Sequence, residues 1–110
     1  MNIEAARIDN PKEEFKAIGK NEVWVYGNDS SVKTPHFHYL VDRGGAKYDI
    51  EVKIEDLTIC NGPLTWEDID GGVETLLAWL ELPNSDLPMI DNFTALKVSW
   101  NQNNRDNQVE

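Results

Sequence analysis

Polarity alternates with a period of two through Thr34-Pro35-His36-Phe37-His38-Tyr39-Leu40-Val41 and again through Ala46-Lys47-Tyr48-Asp49-Ile50-Glu51-Val52-Lys53-Ile54, with Asp42-Arg43-Gly44-Gly45 between them. Runs of this kind read as strands, and a Gly-Gly pair supplies the positive φ that a two-residue hairpin turn requires. With Gly44 and Gly45 as the loop, Arg43 pairs with Ala46 and the rest of the register follows. Phe37 then faces Val52, Tyr39 faces Ile50 and Val41 faces Tyr48, an apolar set assigned to the core. The other face carries His36 across from Lys53, His38 across from Glu51 and Leu40 across from Asp49. It is read as turned away from the packed interior.

The flanks carry weaker patterns. Asn10-Pro11-Lys12-Glu13-Glu14 up to Gly19 has the cap, first-turn proline, early acids and exit glycine of a short helix, with Phe15 and Ile18 on one face. Glu22-Val23-Trp24-Val25-Tyr26 is a strand by its β-branched and aromatic content, and Gly27-Asn28-Asp29-Ser30-Ser31 ends it with turn chemistry. Cys60-Asn61-Gly62-Pro63 reads as a breaker cluster. Beyond it, Thr65 three residues before Asp68 suggests a capping box, with Asp70 a rival cap because Gly71-Gly72 weakens any helix begun earlier. Ile69, Val73, Leu76, Leu77 and Leu80 then recur at helical spacing until Pro83, and Glu67, Asp70, Glu74 and Glu81 form a second, acidic stripe beside them. Asp91 or Asn92 caps a last helix with Phe93, Leu96 and Trp100 on one side. The expected architecture is α+β: a small antiparallel three-stranded sheet packed on one face by two C-terminal helices, with a short N-terminal helix. Residues 1–104 form one domain and the amide-rich residues 105–110 a disordered tail.

Composition narrows the classes. A chain of 110 residues with 40% hydrophobic content and four tryptophans builds one packed core. Net charge is −10, and residues 54–96 hold nine acids and no base. Such a field repels phosphate backbones and anionic lipid, so direct nucleic-acid and membrane binding are disfavoured. A single cysteine, Cys60, forms no internal disulfide and reads as a small buried hydrophobe. The first residues show neither a basic nor an apolar leader segment, which places the chain in the cytoplasm.

Tyr26-Gly27-Asn28-Asp29, Pro35-His36-Phe37-His38 and Gly44-Gly45-Ala46-Lys47 resemble the signature of bacterial and phage proteins in domain-of-unknown-function family 4160. The resemblance is clearest over residues 22–55. It implies a small cytoplasmic protein without an assigned activity, some similar proteins lying beside a short partner in toxin-antitoxin-like arrangements.

Three chemistries were weighed on the residues. A non-enzymatic interaction protein would bind a basic protein partner through Glu67, Asp70, Glu74, Trp79 and Glu81, in a toxin-antitoxin-like or phage-host setting; an exposed tryptophan beside carboxylates has the look of an interface hot spot. Alternatively, His36 and His38, two apart on a strand, project together and with Glu51 can ligate a divalent metal, as a metal-dependent hydrolase or nuclease requires. A third reading is a nucleic-acid mimic. Outside the metal reading no cofactor is indicated: Ser30, Ser31 and Cys60 have no base at motif spacing, and the paired glycines match neither a P-loop nor a dinucleotide fingerprint.

Overall fold

The computed structural model describes residues 5–9, 21–26, 34–104 and 108–109. The short helix expected over residues 10–19 and the loop over residues 27–33 lie outside them. The fold is α+β. Strands β1 (Ala5–Asp9), β2 (Glu22–Tyr26), β3 (His36–Arg43), β4 (Ala46–Lys53) and β5 (Ile59–Asn61) form one antiparallel sheet in the order β1-β2-β3-β4-β5. A 3-10 turn (Trp66–Asp68), helix α1 (Gly72–Leu80) and helix α2 (Asn92–Asn103) follow.

The sheet therefore has two strands beyond the expected three. β1 extends it past β2. β5 overlaps the segment read as a breaker cluster, because Ile59 and Asn61 pair with Val52 and Glu51 of β4 across a register shift before Gly62 turns the chain away. Gly62 has φ +122°, and a Cβ placed there would come within 2.8 Å of the Asp49 carbonyl oxygen and of Ile50 Cα and Cγ2. Gly62→Ala is expected to destabilise the protein by about 1–3 kcal/mol, the usual cost of forcing an extra carbon into packed structure. Urea denaturation measures this, and a variant as stable as the parent would mean that β5 is free to shift.

The central hairpin has the expected register throughout, from Arg43↔Ala46 to His36↔Lys53. Gly44 and Gly45 both take positive φ, as the turn demands. Phe37, Tyr39, Val41, Ile50 and Val52 are buried, joined by Val23 and Val25 of β2. Tyr48 departs from the expected core face: near the turn end of the hairpin its ring is exposed and lies beside the Arg43 guanidinium. Leu64, Ile69, Leu76, Leu80, Leu96 and Trp100 complete the core from the C-terminal half.

α1 begins later than a helix capped at Thr65 would. Thr65 and Asp68 do form a capping box, but it closes only the 3-10 turn, after which Ile69 is extended and Gly71 left-handed. This break resets the helical phase. The buried face of α1 is Leu76, Trp79 and Leu80, whereas Leu77 is 41% exposed. α2 is capped by Asp91, whose Oδ1 accepts from the Thr94 N–H at 2.8 Å. α2 lies against β1, β2 and β3. The connector between the helices is tied by buried amides, Asn84 Nδ2 donating to Asn92 Oδ1 and Asn92 Nδ2 to the Trp79 carbonyl. Of the expected tail, Val109 exchanges two hydrogen bonds with the Asn101 side chain; residues 105–107 and 110 lie outside the described residues. Among the described residues no helix is long and apolar enough to cross a membrane.

Candidate metal centre

Alternation along β3 sends His36 and His38 to the face opposite Phe37, and the β3–β4 register brings Glu51 across from His38. That face is not open at this end. His36 is 1% exposed, and the indole of Trp100 on α2 lies 5.2 Å from its ring centroid, tilted by 55°. Helix cover is thus not confined to the face of Phe37, Tyr39 and Val41, which corrects the expectation that both imidazoles point away from packed structure. The side chains of His38 and Glu51 are 12% and 7% exposed.

The polar atoms in this enclosure converge. His36 Nε2 lies 3.3 Å and His38 Nε2 3.7 Å from the same carboxylate oxygen, Glu51 Oε1. One ligand atom from each of His36, His38 and Glu51 falls within 4.8 Å of the others. Each imidazole is oriented through its other nitrogen. His36 Nδ1 is 2.8 Å from the Thr34 carbonyl oxygen, which only accepts, so this nitrogen carries the proton. His38 Nδ1 is 2.9 Å from Asp49 Oδ1, an acceptor when ionised, with the same consequence. Both Nε2 atoms then present lone pairs toward Glu51 when the rings are neutral. A contact between an imidazole lone pair and a carboxylate oxygen is attractive only with a cation, a proton or a metal ion, between them.

Histidines held by a carbonyl or carboxylate at one nitrogen and aimed with the other are the arrangement that metal ligands adopt. Donors at zinc stand about 2.0–2.1 Å from the ion. In a tetrahedron that spacing puts donors roughly 3.3 Å apart, close to the separations from Glu51 Oε1. Asn61 of β5 donates from Nδ2 to Glu51 Oε2, leaving Oε1 to face the histidines. Cys60, on the same strand, is not among the converging atoms: its thiol donates to the Glu51 carbonyl, and desolvation, followed by the nearby Glu51 charge, pushes its pKa up.

Three contributors lay beyond sequence reasoning. Asn61 was hidden by the breaker reading, Trp100 acts from the far end of the chain, and Thr34 acts through its main chain, which has no sequence signature. Asp49, across from Leu40 in the register, makes the closer contact with His38 of the two carboxylates.

The residues expected to bind a partner do not come together. Trp79 is 2% exposed and belongs to the core beside Leu76 and Leu80, so it is unavailable as a surface hot spot. Glu67, Asp70, Glu74 and Glu81 are all exposed. Glu67 borders a hollow beside β5, Asp70 one near the hairpin turn, and Glu81 a groove at the start of the helical half. Their common stripe required a helix unbroken from Glu67, and the extended Ile69 and left-handed Gly71 divide it.

Fold and cluster together define an α+β protein with a His-x-His strand facing a glutamate. No family model, curated protein or solved structure matches the chain.

Proposed function

We propose that this protein binds a divalent transition metal through His36 Nε2, His38 Nε2 and Glu51 Oε1, and that the centre serves metal-dependent hydrolysis. The convergence of two oriented imidazoles on one carboxylate oxygen supports this reading. Two nitrogen donors with one oxygen favour zinc, nickel or cobalt over magnesium or calcium. Three protein ligands leave a coordination position open, and an ion so held supplies Lewis-acid activation of a hydrolysable bond. The chain's own contribution is orientation: Thr34 and Asp49 set the imidazole tautomers and Asn61 holds the carboxylate.

Titrating chelator-treated protein with zinc tests this. The expected result is one ion per chain at micromolar affinity or tighter, with magnesium failing to compete. An ion at a hundredfold excess over its Kd stabilises the folded state by about 2.7 kcal/mol, so the melting temperature should rise with it. Absence of zinc, nickel and cobalt binding at micromolar levels would sink the reading.

A second reading, a small acidic interaction protein for a basic protein partner, draws on the exposed Glu67, Asp70, Glu74 and Glu81 within the base-free residues 54–96. Kinship with domain-of-unknown-function family 4160, and the toxin-antitoxin-like or phage setting attached to it, is proposed on the Pro35-His36-Phe37-His38 strand.

A further inference from the structure

A groove of about 340 Å³ runs between the end of β4 and the two helices, and none of His36, His38 and Glu51 lines it. Its apolar lining includes Leu57, Leu77 and Phe93, and its edge carries Glu55, Asp56, Glu81 and Asp91. Leu77, 41% exposed, is a large apolar side chain that α1 leaves on the surface.

Leu57 is held at φ +60°, the one positive φ outside glycine among the described residues. A left-handed conformation brings Cβ too close to the following carbonyl oxygen and is disfavoured for such a residue. It is pinned from both sides, its N–H donating to the Lys53 carbonyl and its own carbonyl accepting from Trp66 Nε1. Strained residues persist where the surroundings over-determine them, and they cluster at ligand clamps.

Two of the carboxylates on the edge, Asp56 and Asp91, hold their charge. Hydrogen bonds from the Thr58 N–H and from the Thr94 hydroxyl and N–H keep Asp56 and Asp91, respectively, below the usual carboxylate range. Lys53 and Lys97 stand at the margins, and the Lys97 ammonium lies 4.7 Å from the centroid of the Phe93 ring.

We propose that this groove seats a basic amphipathic segment of another protein. An apolar side chain enters between Leu57, Leu77 and Phe93, and lysine or arginine side chains reach Glu55, Asp56, Glu81 and Asp91. The inference rests on the partner reading and narrows it to one surface, independent of the metal centre. Charge complementarity selects the occupant: an apolar groove edged by carboxylates rejects acidic segments and nucleic acid alike.

The probe is a lysine- and leucine-containing hexapeptide titrated into the full ¹⁵N-labelled chain, with two control peptides, one bearing glutamate in place of lysine and one glycine in place of leucine. Amide shifts are expected to cluster on residues 54–57, 77–81 and 91–93 with the first peptide and to vanish with both controls. Leu77→Glu, at an exposed position the fold tolerates, should weaken binding about tenfold or more, as loss of a central anchor does. Shifts on Glu67 and Glu74 with the groove unmoved would overturn the groove and leave the partner reading standing. No shift at about 1 mM peptide would overturn both. Self-association that Leu77→Glu dissolves, with no peptide effect, would make a second copy the occupant and likewise overturn the proposal.

Discussion

Replacing His36 and His38 together with alanine is expected to abolish zinc binding, weakening affinity by more than the 10–100-fold that loss of an outer hydrogen-bond partner costs, about 1–3 kcal/mol. Each imidazole would supply one of the two nitrogen donors of the proposed centre, and the double variant leaves Glu51 alone facing a vacated enclosure. His36 is buried against Trp100, so the double variant must be shown to fold by circular dichroism. His38→Ala serves as a second variant, because His38 is partly open to solvent. Asn61→Ala and Asp49→Asn remove only the orienting groups, and their losses should fall within the 10–100-fold range (roughly). An unchanged stoichiometry and affinity in folded His36→Ala/His38→Ala protein would exclude this centre.

Trp100→Ala is expected to cost about 3–5 kcal/mol of folding stability, the usual range for a large aromatic removed from a core. The indole is fully enclosed and joins two regions, the hydrophobic cluster and the ring of His36. Against a typical total of 5–15 kcal/mol, roughly, this is a large fraction. A domain of this size loses approximately 4–8 °C of melting temperature per kcal/mol, so the change is readable in a thermal scan. Trp100→Phe should retain much of the packing and fall in between. A melting temperature unmoved by Trp100→Ala would show that α2 contributes little to the core.

The hairpin was legible because a two-residue glycine turn leaves one register compatible with the alternation, and all eight pairings follow from it. The same two facts placed His36, His38 and Glu51 on one side of the sheet. Burial of that side was not legible, since the cover comes from Trp100, distant in the chain, and strand periodicity says nothing about what packs on a strand's second face. β5 was missed because three residues are too few to show a period and the glycine and proline after them dominate the local signal. Helical spacing left the edges of the α1 stripe open: Leu77 and Trp79 flank the line of Leu76 and Leu80 on opposite sides, and packing against the core buries Trp79 and leaves Leu77 outside.

Strands that neighbour one another in space are also neighbours along the chain, with no crossover anywhere in the sheet. Each pairing therefore closes a short loop, which lowers the mean separation of contacting residues and favours rapid folding compared with other β-rich topologies. His36, His38 and Glu51 belong to a single such closure, so their convergence needs only the hairpin to pair, whereas the cover over them waits for α2 to dock.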